Sequence, residues 1–177
     1  AHLHAQRGEA PGADRDGYIG TLIQRNLWNR PPAASGGWLE FFRAQRVEAL
    51  TPCLPSGLRA RIEALDFEGL LQEPDGGCAL LHGDLWGGNL VCGVDGQGWF
   101  VDPAVYCGHP EVDLAMTTLF GGFSGDFYDG YQEVAGTFDV GMQERLQLLN
   151  VYPLLVHVHL FGGGYQAQLD AIARRFS

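Results

Sequence analysis

The sequence predicts a mainly α chain with one small β-hairpin, an α+β fold, on three observations. From residue 38 onward, apolar residues recur at helical spacing over much of the chain. Three apolar runs, Ala79–Leu81, Leu90–Cys92 and Trp99–Val101, have the length of strands rather than helices. Between the last two lies Val94-Asp95-Gly96-Gln97-Gly98, a Gly-rich turn suited to reversing a hairpin. With 46% hydrophobic and 18% charged residues in 177 positions, the composition is that of one globular unit with ample core.

The elements follow in order. Residues 1–37 read as loop-rich, and Pro31–Gly37 as a break before an amphipathic helix from Trp38 to Leu50. A second helix is expected from Ser56, a residue type that caps helix N-termini, with Leu58, Ile62 and Leu65, and later Leu70 and Leu71, near helical spacing. The three strands come next and, being apolar, read as buried. Pro110 opens another helix with Glu111 and Asp113 in its first turn, running through Leu114, Met116, Thr117 and Phe120 to Gly121-Gly122. The remainder reads as helical, including one long helix from Met142 to Phe161 that Pro153 should kink. Cys53, Cys78, Cys92 and Cys107 form no C-x-x-C pair and have apolar neighbours, so reduced core thiols are expected, with Cys107 partly exposed.

Charge narrows the partners. A net charge of −10 disfavours binding to a nucleic-acid backbone, and no run of 18 apolar residues or signal-like start suggests a membrane or secretion. The expectation is a cytoplasmic protein without nucleic-acid or membrane partners.

The chemistry is concentrated in His82-Gly83-Asp84-Leu85-Trp86-Gly87-Gly88-Asn89 and in Asp102-Pro103. Four residues separate Asp84 from Asn89, the spacing of the H-R-D-x-x-x-x-N loop of kinases, although Gly83 stands where that loop has Arg. In phosphoryl transfer a carboxylate receives the acceptor hydroxyl's proton, which assigns Asp84 as the catalytic base, with no need for a raised pKa. Hard cations such as Mg²⁺ prefer oxygen donors, which assigns Asn89 and Asp102 as metal ligands if the hairpin brings them to the same end of neighbouring strands. Gly-Asp also makes ordinary turns, and D-x-x-x-x-N recurs by chance. The flanking strands, His82 and Asp102-Pro103 at a hairpin's length separate the catalytic reading from the plain one.

The supporting residues admit two readings each. His82, beside a strand, reads as a structural hydrogen-bonding residue, with proton transfer as its rival. Asp113 is either a first-turn acid favoured by the helix dipole or a buried anchor for the catalytic loop's backbone. His157 and His159 are two apart and point to different faces of a helix, so they do not form a metal pair; at least one reads as structural, with approach of His157 to a substrate as the rival reading.

Several segments together resemble the fructosamine kinase (ketosamine kinase) family, within the aminoglycoside-phosphotransferase and protein-kinase-like superfamily. They are His82–Asn89, Asp102–His109, Glu111–Met116, Leu119–Phe123, Asn150–Tyr152 and Leu160–Tyr165, with Tyr18–Gly20, Gln24, Asn26–Trp28 and Trp38–Phe42 upstream. The resemblance implies the carboxyl-terminal lobe of a protein-kinase-like fold and phosphorylation, with ATP and Mg²⁺, of a sugar hydroxyl on small or protein-linked ketosamines. By position Asp84 matches the family's base and Asn89 and Asp102 its metal ligands. Trp86 matches a tryptophan that lies against the substrate; its flat face suits a sugar ring or linked amine, against a rival reading as packing. Tyr106, His109 and Phe123 match the substrate side, with ordinary packing an equal reading for Tyr106 and Phe123. The chain departs from the family at Gly87, where Ser is usual, and at Cys107, where Tyr is usual. An aminoglycoside- or choline-type kinase lobe, or a binding remnant without turnover, are the alternative readings.

All 11 basic residues are Arg; there is no Lys and no G-x-G-x-x-G. Kinases grip nucleotide phosphates with a strand-borne Lys beneath a Gly-rich loop. Between Ile62 and Glu144 there are 15 Asp or Glu and no Lys or Arg, which repels phosphate unless a metal intervenes. Ala1–His4 also reads as the tail of a helix. Residues 1–177 are therefore expected to form a catalytic carboxyl-terminal lobe without its amino-terminal nucleotide-binding lobe, inactive in isolation.

Overall fold

The computed structural model describes residues 1–27 and 37–176. Among them the chain is largely helical, with three two-stranded antiparallel sheets where one hairpin was expected. The additional sheets are β1 (Gly17–Ile19) with β2 (Leu22–Gln24), and β3 (Ala79–Leu81) with β6 (Tyr106–Gly108). The expected hairpin joins β4 (Leu90–Cys92) to β5 (Gly98–Phe100), with Leu90 opposite Phe100. Most of the Pro31–Gly37 break, and Trp28, lie outside the described residues.

α1 (Trp38–Phe41) continues as wider π-helical winding over Phe42–Glu48, ending short of Leu50. No side chain of its own turn caps α1; the Glu73 carboxylate accepts from the Trp38 and Leu39 N–H groups at 2.8 and 3.0 Å instead. α2 (Ser56–Glu63) starts at Ser56, but Pro55 occupies the cap position and the serine side chain caps nothing. Leu70 belongs to a separate short helix, α3 (Phe67–Leu70), capped by Asp66, whose carboxylate accepts from Gly69 N–H. α4 (Glu111–Leu119) ends at Gly121 and Gly122, both with positive φ.

α5 (Gly125–Ala135), α6 (Met142–Leu149), α7 (Val151–Phe161) and α8 (Gln166–Arg175) complete the chain. The single long helix expected from Met142 to Phe161 is two helices divided at Asn150. Pro153 therefore falls in the first turn of α7, where its missing N–H has no partner to lose, and it kinks nothing.

The helices close over one core in which Phe41, Phe42, Ile62, Leu81, Leu148, Leu154, Leu155 and Leu169 are fully buried. α4 packs on α6, while α2 and α7 pack on α8. Arg46 is also fully buried, its guanidinium 4.0 Å from the Tyr106 ring centroid, and donates to Arg25 O and Asn26 Oδ1 at 2.7 Å each. The β4–β5 hairpin, expected to be buried, stands out from this body: Val91, Trp99 and Phe100 are 49, 59 and 47% exposed. All four cysteines are unpaired, but only Cys78 is a core thiol, its pKa pushed up to about 11 by burial; Cys53 and Cys92 are exposed and Cys107 half-buried. Among the described residues no helix is long and apolar enough to cross a membrane.

Candidate active site

The loop from His82 to Asn89 connects β3 to β4, and a buried carboxylate sets its shape. Asp113 on α4 accepts from the backbone N–H groups of His82 (2.7 Å) and Gly83 (2.8 Å). This is the backbone-anchor arrangement, and it coexists with the first-turn position on α4. Gly83 has φ +79°, and a Cβ there would collide with the Ala104 carbonyl oxygen, so glycine is required where the H-R-D-x-x-x-x-N pattern has Arg. Asp113 is in turn held by His4, whose Nε2–H donates to Oδ2 at 2.9 Å while its Nδ1 accepts from the Tyr131 hydroxyl at 2.9 Å. No local pattern marks His4 or Tyr131, because His4 is 109 residues from Asp113. His4→Ala is expected to cost about 1–3 kcal/mol of stability in urea unfolding, since it orphans buried hydrogen-bonding groups on both sides.

His82 is buried with both ring nitrogens engaged: Nε2–H donates to Val101 O at 3.1 Å and Nδ1 accepts from Asp84 N–H at 3.3 Å. It thereby ties the loop to the residue before Asp102. Asn89 Nδ2 donates to both the backbone oxygen and Oδ2 of Asp84, each at 2.9 Å. Two acceptors on one side fix the amide's orientation, so Asn89 Oδ1 faces the other way and has no hydrogen-bond partner among the described residues. The Asn89 backbone carbonyl accepts from Val101 N–H at 3.0 Å, extending the β4–β5 ladder and bringing Asn89 and Asp102 to the same end of the hairpin.

Asp102 is exposed and, among the described residues, is the sole non-glycine with positive φ, at +53°. Its carboxylate has no hydrogen bond or ion pair there. A left-handed aspartate before proline is strained, and such strain collects at functional positions. Asp102→Gly is expected to be more stable than Asp102→Ala by about 1 kcal/mol in urea unfolding, because the two differ chiefly in carrying a Cβ at this φ.

Asp84 itself is half-buried, and burial raises its carboxyl pKa above the ordinary value; the Asn89 hydrogen bond, His82 and His157 offset part of that shift. The sequence reading needed no such shift; enclosure of the loop produces it.

Aromatic rings line one side. Trp86, 37% exposed, meets Phe120 edge to face at 5.9 Å, and Phe120 lies 4.7 Å from the His157 ring. His157 also meets Tyr165 at 4.9 Å and donates Nδ1–H to Pro153 O, leaving Nε2 unbonded among the described residues. Phe123 stacks on Phe100 at 6.4 Å, and Phe100 touches His82. Phe120 and Tyr165 lay within the segments that resemble the family but were not assigned to the site; aromatic character alone does not distinguish them from core residues.

Two residues expected on the substrate side lie elsewhere. His109 packs on Trp38 at 5.0 Å, accepts from Glu111 N–H at Nδ1, and lines a cavity of about 470 Å³ with His4, Tyr131 and Arg145; no residue of the Asp84 loop lines that cavity. Burial there lowers its pKa. Tyr106 is 1% exposed beneath Arg46. Pairing of β6 with β3 turns Tyr106 into the body, while His109, one residue beyond β6, is placed by its contact with Trp38.

The fructosamine kinase family model matches residues 1–176. A "Probable ketoamine kinase" of Enterococcus faecium is 36% identical over 99% of this chain and 64% of its own length. Protein-ribulosamine 3-kinase, chloroplastic, of Oryza sativa subsp. indica is 34% identical over 97% of this chain and 50% of its own. A crystal structure of a provisionally assigned fructosamine-3-kinase from Thermobifida fusca superposes with a TM-score of 0.78 at 37% identity, over 97% of this chain and 59% of that one. The chain thus spans about half to two-thirds of the length of these relatives. A match along almost every residue, with a shared fold and the loop geometry above, establishes that the chain belongs to the fructosamine kinase family.

Proposed function

We propose that this chain carries the base and metal ligands for phosphoryl transfer from ATP, with Mg²⁺, to a sugar hydroxyl of a ketosamine, small or protein-linked, as the names of its relatives suggest. The observation that carries this reading is the Asn89 amide, which binds Asp84 through nitrogen and leaves its oxygen beside the end of the hairpin that bears Asp102. Hard oxygen donors without partners among the described residues, Asn89 Oδ1 and the Asp102 carboxylate, suit a magnesium ion. Such an ion, when bound, neutralises charge on the donor's phosphates. Asp84 orients the acceptor hydroxyl and takes its proton as the oxygen–phosphorus bond forms and the nucleoside diphosphate leaves. Trp86 holds the acceptor with its open face, with His157 and Phe123 in the surrounding aromatic walls, and His82 and Asp113 keep the loop in place.

The same reading takes residues 1–177 as a carboxyl-terminal, protein-kinase-like lobe in a cytoplasmic protein. Cations for the phosphates come from an amino-terminal lobe, consistent with the absence of Lys and the acidic stretch from Ile62 to Glu144.

The test is phosphorylation of a small fructosamine and a ribulosamine by ATP and Mg²⁺, with this chain and with a form extended by an amino-terminal lobe. Transfer by the extended form, lost in Asp84→Asn, is expected. Transfer to aminoglycosides or choline in place of both ketosamines overturns the substrate, and transfer by the 177 residues alone overturns the need for a second lobe. Asp84 also predicts a pH dependence. Because burial raises its pKa, the rate should fall as pH drops through a value above the ordinary ~3.9 of an aspartate, and this acid limb should vanish from the residual rate of Asp84→Asn.

A further inference from the structure

Trp86 owes the attitude of its ring to the residue two places on. A Cβ at Gly88 would lie 2.7 Å from Trp86 Cζ3 and closer still to Cη2 and Cζ2, well inside contact distance. Similar closeness to three neighbouring ring atoms places that Cβ over the face of the six-membered ring, not beyond its edge. The indole therefore lies on the Gly88 backbone, in the volume that any side chain at 88 would occupy. Gly88 is not among the glycines with positive φ, and the three nearest atoms to its Cβ position all belong to Trp86.

A second ring meets the indole, and the loop that carries it is held against a neighbouring turn. Phe120 meets the indole at a 74° interplanar angle. Gly87 sits against the turn that follows α4, where its own Cβ would be 3.1 Å from Gly121 O and 3.3 Å from Gly122 Cα. One face of the indole is thus covered by Gly88, Phe120 meets the ring at a steep angle, and the residue keeps its 37% exposure on what remains.

We propose that Gly88 is a specificity-determining positioning residue: by lacking a side chain it lays the Trp86 ring flat beside the catalytic loop, presenting a single open face to acceptors with a flat, C–H-rich sugar ring. The inference rests on the reading of Trp86 as the acceptor's contact. An acyclic polyol amine, which offers no such face, gains little from the arrangement. In Gly88→Ala the methyl group displaces the indole, and ring-forming acceptors lose their stacking partner while acyclic ones do not.

The test uses the 177-residue chain labelled with 5-fluorotryptophan, whose four tryptophans give four ¹⁹F resonances, that of Trp86 being identified by its loss in Trp86→Ala. N-butyl fructosamine and the acyclic N-butyl glucamine are the probes. Gly88→Ala is expected to move the Trp86 resonance and to weaken fructosamine binding by about three- to tenfold, as Trp86→Ala does, leaving glucamine binding unchanged. The double variant should bind no worse than Trp86→Ala, since the methyl group then has no ring to displace. If Gly88→Ala leaves the Trp86 resonance in place, or binds fructosamine like the wild type while Trp86→Ala does not, the role of Gly88 is overturned and that of Trp86 stands. If Trp86→Ala itself binds fructosamine as the wild type does, the acceptor contact of Trp86 fails, and the role of Gly88 fails with it.

Discussion

Asp84→Asn is expected to lower kcat for phosphoryl transfer by about 10²–10⁴-fold, the range for losing a positioned general base, with the acceptor KM within about threefold of wild type. The substitution keeps the size and one acceptor oxygen of the side chain, so Asn89 retains its backbone contact at Asp84 O. Stability should move the other way. A carboxyl whose pKa is raised on folding binds its proton more tightly in the folded state, so its contribution to stability grows as pH falls through the raised value and is a penalty at pH 7. The asparagine variant is therefore expected to be at least as stable as wild type at neutral pH and to lose that advantage in acid, as urea midpoints at pH 7 and pH 4 would show. A variant both inactive and strongly destabilised at pH 7 would mean that Asp84 is a structural acid.

Asp113→Ala should have the largest effect on stability, on the order of 3 kcal/mol or more in urea unfolding, because it removes an acceptor shared by three buried donors, each costing about 1–3 kcal/mol when orphaned. Asp113 is 1% exposed and accepts from two backbone amides and from His4, so alanine leaves three donors without their acceptor where water has little access. Amide hydrogen exchange distinguishes this from a general loss of packing. The His82 and Gly83 amides should lose protection by more than the core amides of α7 under conditions where the variant remains folded. Equal loss at both places would show that Asp113 supports the fold at large and not the loop.

How far these sites were legible in the sequence depended on the range of the interaction. Asp84 and Asn89 are five positions apart, and a hairpin turn of five residues links the strands that carry Asn89 toward Asp102, so their proximity follows from local geometry. Asp113 could be placed on α4 but not assigned between dipole and anchor, because its partners lie 30 and 31 residues away on the other side of the hairpin. His109 and Tyr106 were expected beside the substrate by resemblance. Tyr106 lies in β6, whose pairing with β3 is a long-range event that decides which way its side chain points, and His109, just beyond that strand, is placed by its contact with Trp38.

Some features were misread for a related reason. Apolar residues in the β4–β5 hairpin looked buried, since hydrophobicity in a short run reports strand character and not whether another layer covers it. Pro153 looked like a kink within one long helix, whereas the break at Asn150 makes it a first-turn proline. Arg46 gave no sign of burial, since Tyr106 and Tyr152, which with nearby Phe41 cage its guanidinium, lie on elements far from it in the chain.

By itself the sequence determined what is encoded over a few residues: helical periodicity, the catalytic loop's spacing, the hairpin turn, and an acidic surface unsuited to gripping phosphate unaided. Tertiary structure alone decided the His4–Asp113 support, the raised pKa of Asp84, the departure of His109 from the loop, and the indole of Trp86 lying across Gly88. The physical reason is that backbone propensity and turn geometry act between near neighbours. Burial, desolvation and side-chain direction depend on which distant elements close over a residue, and that is settled only when the core has packed.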